Sequence, residues 1–469
     1  MRVSLRSTRR CLCLVALVVL VTPAAALAAS KPSHPATGSL KQLSGRMGCV
    51  VARSTAHTTC ARARALSGPA PILGSQAIAV SPDGRNVYVA SSGSNAVTIF
   101  KRDAATGALT QAYGTGGCIS VGAGSGCARA IAFRHPNSVA VSPDGKNVYV
   151  TSLVSNSVVT LKRNKSTGAL TQLKNGGCIA NVATPGCTTG QALDGPDVVA
   201  VSPDGDNVYV GSFLGSELAV FSRNTKTGAL TQLTGGAGCF VNTATSGCTT
   251  AIGLGSPEGL TVSPDGQDVY VAAPGSGALD TFARSSTDGS LTQATDGTGC
   301  ISDTALTGCA LGTQLDGADA VQVSPNNVSV YVTSLLSNAV AVFSRSPAGQ
   351  LTQLNGTSAC VINILAVGCG LGRQLSGPEG VAVSPGSTNV YAVGYTSGSL
   401  DVFNRDTGWG AVAQKTRLTG CLTVGAKPGC TSGRALRGAG SVTVSPDGKN
   451  VYTAAFKSNA VAIFKRVNR

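Results

Sequence analysis

Val141-Ser142-Pro143-Asp144-Gly145-Lys146-Asn147-Val148-Tyr149-Val150 recurs in recognisable versions seven times along the 469-residue chain. The prolines stand at Pro82, Pro143, Pro203, Pro264, Pro325, Pro385 and Pro446, always 60 or 61 residues apart. A period that regular is one structural unit copied, so the chain reads as an array and not as a string of unrelated domains.

The residues around the motif give the unit its content. Ser138-Val139-Ala140-Val141 alternates as a strand, Pro143-Asp144-Gly145-Lys146 turns the chain, and Asn147 to Thr151 is a second strand. Ser155-Asn156 turns again, Ser157 to Arg163 is a third strand, Ser166-Thr167-Gly168 is a further turn, and Ala169 to Leu173 is a fourth strand. Four short antiparallel strands repeated seven times predict an all-β chain folded as a seven-bladed β-propeller. A β-solenoid is the competing array, but its repeats are shorter and need no hairpin turns of this kind. The last unit stops after its third strand at Arg466, while Thr37 to Leu43 resembles the missing fourth. The ring is therefore expected to close by pairing of the N-terminal strand with the C-terminal blade, one strand plus three, leaving no open edge.

Composition agrees with this plan and bounds the setting. Sixty glycines, 12% charged residues and few aromatics suit short strands and tight turns. Four arginines precede an apolar run from Cys11 to Val21 and the small residues Ala26-Leu27-Ala28, which predicts a secretory signal peptide over residues 1–28. The run is too short for a membrane span. Arg9-Arg10 leaves export by the general or the twin-arginine route open. A short segment 29–36 and a single propeller domain 37–469 follow. The expected location is extracellular or periplasmic, and the expected state a monomer. Without the leader, 32 basic residues face 21 acidic ones. No basic run is interleaved with aromatics, which argues against nucleic acid, and the expected partner is an extracellular protein or polysaccharide.

Fourteen cysteines follow the leader in seven pairs: Cys49 with Cys60, Cys118 with Cys127, Cys178 with Cys187, Cys239 with Cys248, Cys300 with Cys309, Cys360 with Cys369, and Cys421 with Cys430. Export and strict pairing predict seven local disulfides. Zinc is the alternative, yet no pair has a histidine at ligand spacing and two thiolates need two further ligands. Joining one unit's fourth strand to the next unit's first, the stapled loops are expected to ring the channel mouth. The lone Trp409 is expected to be a packed loop anchor.

The Ser-Pro-Asp-Gly-x-Asn-Val-Tyr-Val motif, the Ser-Asn-Ala-Val third strand and the Thr-Gly-Ala-Leu-Thr-Gln fourth strand together resemble the YVTN-repeat, lactonase-like seven-bladed propellers, over essentially the whole mature chain. The resemblance implies lactone chemistry at most, and a ring whose first strands line the axis.

Stacking the units shows which positions depart from the repeat. Six residues before each proline stand Gln76, Asn137, Asp197, Glu258, Asp319, Glu379 and Gly440, so four consecutive blades carry a carboxylate at the channel mouth. Such a cluster binds a hard cation such as Ca²⁺ or shifts its members' pKa values toward a general base. Pro257-Glu258-Gly259 and Pro378-Glu379-Gly380 also resemble the mouth glutamates of metal-binding propeller hydrolases. The plainer reading is that the acids cap strand ends. Of the histidines His34, His57 and His135, only His135 stands at the entrance of an inner strand. With Arg134 it offers an acid/base and oxyanion pair for ester or lactone hydrolysis, against a purely structural His-Pro. No nucleophile elbow, phosphate loop or His-Glu-x-x-His is present. Near-identical repeats favour a binding or scaffold module displaying its stapled loops. The alternative is a lactone or ester hydrolase, metal-dependent or not, at the channel mouth.

Overall fold

The computed structural model describes residues 38–56, 59–70, 76–122, 126–245, 247–364 and 367–467. The leader of residues 1–28, the segment 29–36, His34 and His57 lie outside them. The motif turn shows why the unit folds as read. Ser142 Oγ donates to Asp144 Oδ1 at 2.6 Å, Gly145 N–H donates to the Ser142 carbonyl at 2.8 Å, and Asn147 N–H to Ser142 Oγ at 3.0 Å. Gly145 takes a positive φ of 66°. In blades five and six Asn327 and Ser387 adopt the same left-handed conformation in place of glycine.

Seven sheets result, one per blade, each of six strands and not four. In blade two the inner strand Pro136–Val141 pairs with Asn147–Ser152, which pairs with Ser157–Arg163. The fourth strand is in two pieces: Leu170–Gln172 covers the end of the third strand and Cys178–Ala180 its beginning. The chain between them loops out and returns through Gly177, where a Cβ would lie 2.0 Å from the Leu173 carbonyl. A sixth strand, Thr188–Thr189, runs parallel to Cys178–Ala180.

Seven disulfides form as the spacing predicted, with Cα separations of 4.7–4.9 Å. The first cysteines, Cys49, Cys118, Cys178, Cys239, Cys300, Cys360 and Cys421, lie in the second piece of the fourth strand. Their partners, in the same order, are Cys60, Cys127, Cys187, Cys248, Cys309, Cys369 and Cys430, each at or immediately before the start of the parallel sixth strand. The bonds thus fasten the sixth strand to the fourth on the outermost edge of each blade. The expected ring of stapled loops around the channel mouth is therefore wrong. The outer clip strand consumes the loop before the chain crosses back to the axis. Each disulfide closes a loop of about ten residues, which the chain-entropy model values at roughly 2.5 kcal/mol. Intact mass without reductant should fall fourteen hydrogens below the reduced value; free thiols in quantity would contradict the pairing.

The ring closes at the expected seam. Ser39–Gln42 and Cys49–Ala52 both pair antiparallel with Ala460–Val467, completing blade seven from the other end of the chain. Tyr391 Oη donates to the Gly38 carbonyl at 3.1 Å, and Gln42 Nε2 to the carbonyls of Gly48 and Arg434.

The arginines that end the third strands join neighbouring blades. Arg163 donates through Nε to Tyr88 Oη, through Nη1 to the Gly145 carbonyl, and through Nη2 to both oxygens of Asp83 and to Asn86 Oδ1. Asp83, Asn86 and Tyr88 all belong to the preceding blade. Arg102 makes the same set with Tyr452, Asp447 and Asn450, fastening blade one to blade seven. This resolves why arginine persists where the motif aspartate is missing: the carboxylates that Arg345 pairs with, Asp265 and Asp268, belong to blade four, and its own turn supplies its guanidinium only the Asn327 carbonyl. The blade that lost its aspartate leaves the next arginine without a carboxylate: the fully buried Arg405 keeps Tyr331 Oη and the Ser387 carbonyl, but its Nη2 finds only the neutral Asn326 Oδ1 and Ser329 Oγ, each at 3.0 Å. Asn326→Asp restores the counterion and is expected to add about 1 kcal/mol, because hydrogen bonds to charged groups are the stronger class. Thermal melts of the single variant check it; an unchanged or lower midpoint would contradict the reading. Trp409 is 55% exposed and anchors no packed loop.

Candidate functional site at the channel mouth

The inner strands of all seven blades surround an axial cavity of about 280 Å³, lined from Val139–Val141, Val199–Val201, Leu260–Val262 and their counterparts. Gln76 of blade one reaches across it, its Nε2 donating to the Leu260 carbonyl of blade four at 2.6 Å. At the same level, where the inner strands begin, the four carboxylates Asp197, Glu258, Asp319 and Glu379 are all at most 2% exposed.

They sense one another. Burial, and then the charges of Asp319, Asp197 and Glu379, drive the Glu258 pKa well above the carboxylate range. Asp319 is raised by burial and by Asp197. Glu379 is raised by burial and by Asp319, opposed by Lys457. Glu258 and Asp319 hydrogen-bond to each other, while neither oxygen of Asp319 has a donor from another side chain or amide. Two carboxyls in contact keep one proton between them, since both cannot ionise at that distance. Asp197 is raised to about 7 by burial, partly offset by Asn137. Asn137 Nδ2 donates to its Oδ1 at 2.5 Å, leaving Oδ2 without a partner. Both oxygens of Asp319 and of Glu379, and Oδ2 of Asp197, take no backbone amide, so these three acids do not cap strand ends as the plainer reading has it.

Gly440 ends the column for a steric reason. A Cβ there would come 2.6 Å from Glu379 Oε2. Blade seven therefore yields its place to the blade-six carboxylate.

His135 is half-buried beside Asn137, and burial lowers its pKa despite that hydrogen bond. Its φ of 59° occupies the left-handed position that Gly68, Gly195, Gly317, Gly377 and Gly438 hold in other blades. A non-glycine residue there is uncommon and marks a place worth attention. Arg134 is exposed and its backbone amide bonds Ser155 Oγ; no contact of its guanidinium with the carboxylates is seen.

The second-to-third turns stand over the same end of the inner strands. Leu153 N–H donates to the His135 carbonyl, Phe213 N–H to Gly195 and Leu335 N–H to Gly317. Val154, Leu214 and Leu336 at these turns are 52%, 59% and 61% exposed, giving an apolar rim. Lys457 Nζ sits 4.5 Å from the Tyr395 ring centroid, and burial, then the Glu379 charge, raises the tyrosine's pKa. Lys457 and Tyr395 escaped the sequence reading. Their signal was available, since Lys457 is the one charged residue in a column of Gly93, Val154, Leu214, Gly275, Leu336 and Thr396, and Tyr395 the one tyrosine in a column of Ser92, Leu153, Phe213, Pro274, Leu335 and Phe456.

The site does not gather metal ligands. Among the described residues no group of three or more His, Cys, Asp or Glu could hold a metal ion. The acids interact through charge but stand on separate strands around the axis.

Two further buried acids lie outside the mouth, on third strands opposite cysteines. Burial raises Asp280 well above its ordinary value and Asp401 to about 8, the latter partly offset by Ser399. Groups raised in the folded state contribute stability that is complete below their unfolded values of 3.8–4.5 and is lost as pH rises through the folded ones, about 7 for Asp197 and about 8 for Asp401. The turn aspartates act oppositely. Asp144, lowered to about 2 because its hydrogen bonds outweigh burial, contributes stability above 3.8 that is lost as pH falls through 2. Calorimetry should thus give a higher melting temperature at pH 5 than at pH 8.5, and a steep loss only below pH 3.8. A midpoint rising steadily from pH 5 to 8.5 would contradict the protonated mouth.

The family model described as lactonase, 7-bladed beta-propeller, matches residues 53–189 and 123–307, more than half of the chain. The chain belongs to this family. Solved structures place the lactonase-family propeller among others of its shape. It is 19% identical to the candidate 6-phosphogluconolactonase of Bacteroides fragilis, covering 72% of this chain and 81% of that one with a TM-score of 0.50. It is 17% identical to the hydrazine synthase of Kuenenia stuttgartiensis, over 85% and 97% of the two chains, with a TM-score of 0.52. A protein of unknown function from Desulfotomaculum acetoxidans is 15% identical over 83% and 93%, at 0.50. At such identities the likeness is one of fold, and the chemistry must be read from the site. No curated protein matches the sequence. Among the described residues no helix of this lactonase-family chain is long and apolar enough to cross a membrane.

Proposed function

We propose that this lactonase-family propeller is an exported hydrolase of lactones or related esters, working at the channel mouth. The observation that carries the reading is the desolvated, proton-sharing Glu258–Asp319 pair beside Asp197, whose pKa of about 7 suits a base. Ionised Asp197, oriented by Asn137, takes a proton from water. The oxygen attacks the lactone carbonyl carbon, and the ring C–O bond breaks. The proton held by Glu258 and Asp319 passes to the departing alkoxide, giving the hydroxy acid. His135 flanks the base through Asn137, and the apolar turns seat the body of the substrate.

The scaffold reading keeps its stapled loops, but they sit on the rim and not around the mouth where the buried acids gather. Calcium remains a second reading of Asp197, Glu258, Asp319 and Glu379, favoured by the bare oxygens of Glu379 and by Asp197 Oδ2, and opposed by the lack of any group of three or more such ligands among the described residues. We carry forward the leader over 1–28, the segment 29–36, the propeller from 37 to 469, and an extracellular or periplasmic location in keeping with seven disulfides. A panel of lactones, assayed with and without chelator beside calorimetric titration of Ca²⁺, tests these points. Chelator-insensitive turnover that falls at least ~100-fold in Glu258→Gln supports the acid pair. Saturable Ca²⁺ binding with turnover lost to chelator would replace it, and no turnover of any lactone would remove the hydrolase reading.

A further inference from the structure

A cleft on the rim breaks the repeat in a way that the channel mouth does not explain. It lies where the chain's ends meet, between the outer edge of blade seven and the fourth strand of blade one, has a volume of about 260 Å³, and is lined by Val50, Arg53, Arg62, Arg64 and the stretch Leu109 to Tyr113. Column by column the residues are exceptional. The position of Arg53 is Gly122, Val182, Thr243, Thr304, Ile364 and Gly425 in the other units. That of Arg62 is Arg129 in the adjoining unit and then Thr189, Thr250, Leu311, Leu371 and Ser432. Tyr113 is the one aromatic in a column of Ser44, Lys174, Thr234, Thr295, Asn355 and Thr416, and it is 96% exposed.

The charge of the chain is concentrated here. Residues 38–135 contain ten Lys and Arg against two acids, whereas residues 136–467 contain twenty against nineteen. Both acids are engaged elsewhere: Asp83 with Arg163 of blade two, and Asp103 with Thr106 in its own turn. Arg64 braces the wall by donating to the carbonyls of Gly126, Ala112 and Gly114. Arg53 and Arg62 are exposed and pair with no carboxylate among the described residues.

From this juxtaposition of an exposed aromatic ring and unpaired guanidinium groups in an open rim cleft, we infer that the blade seven to blade one seam binds an acidic polysaccharide. A pyranose ring presents an apolar C–H face to Tyr113, and its carboxylates match the planar donor fork of Arg53 and Arg62. A cleft open at the blade edge admits an extended chain, and the local field draws a polyanion to it. The surface is independent of the mouth, so it stands whether or not lactones are hydrolysed.

Calorimetric titration of the full-length disulfide-bonded protein with a galacturonate decamer tests it, with neutral dextran and inorganic polyphosphate as comparison ligands. The decamer should bind with an affinity that falls as salt rises, and dextran should not. Arg53→Ala and Arg62→Ala should each weaken binding about tenfold, a charge-assisted hydrogen bond's worth. Tyr113→Ala should weaken it roughly fivefold, while Arg85→Ala, an exposed arginine in a motif turn, should change nothing. All four side chains are exposed, and equal melting temperatures establish that the variants fold. Failure of the decamer to bind, or losses under twofold in Arg62→Ala and Tyr113→Ala, would overturn the inference. Polyphosphate bound as tightly, with Tyr113→Ala without effect on either ligand, would overturn it too, by reducing the cleft to a charge patch.

Discussion

Asp197→Asn is expected to melt at a higher temperature than the wild type at pH 8 and to lose nearly all lactone turnover. Asp197 is fully buried, and its pKa moves from 3.8 to about 7 on folding. Ionising it inside the protein at pH 8 therefore opposes folding by something on the order of 4 kcal/mol. Asparagine keeps the shape, accepts the same hydrogen bond from Asn137 through its carbonyl, and carries no charge to desolvate. The gain should shrink as pH falls and reach zero only below 3.8, where the wild-type carboxyl is protonated in both states. Catalysis should drop at least ~100-fold, because an amide cannot take a proton from water. Melting curves at pH 4.5 and 8 with a lactone assay check both halves. A variant less stable at pH 8 would mean that Asp197 is ionised and well solvated in the native protein, and the base would have to be sought elsewhere.

Deleting residues 38–43 should lower the melting temperature by about 10 °C or more and convert a monodisperse protein into oligomers. The loss removes the whole pairing of Ser39–Gln42 with Phe464–Val467 and the Gln42 bonds to Gly48 and to Arg434, the residue that follows blade six's outer strand Thr431–Gly433. It also bares the edge of a third strand that other chains could cover. Size-exclusion chromatography and calorimetry would show it, and an unchanged profile would mean that Cys49–Ala52 alone closes the ring.

Much of the fold was legible because the proline spacing is a ruler and the motif turn has one solution for its hydrogen bonds. The broken fourth strand was not, since segments as short as Leu170–Gln172 and Cys178–Ala180 are too brief to show a period. The disulfides followed from spacing. Their place on the rim did not, because two residues such as Thr188–Thr189 become a parallel strand only when the sheet is already there to receive them. At the site, stacking the units located all four carboxylates. It could not show that they lose their water, nor that Asn137 reaches Asp197, since both depend on how closely adjacent inner strands approach the axis. Asp280 and Asp401 were passed over because single acids within a third strand give no pattern until the sheet buries them.

The arginine joints also bear on where such a chain can begin. Each joint uses one blade's third strand and the preceding blade's turn, so the ring is assembled from seven copies of one directional fastening, and the seam between blades seven and one is fastened like every other. The backbone's starting point is then arbitrary as far as the joints are concerned. A circularly permuted chain opening at blade three would remake all seven. The arc from Asp197 to Glu379 is different in kind: it has a left and a right end and exists once, so exchanging blades four and one would remake the same joints and break the arc.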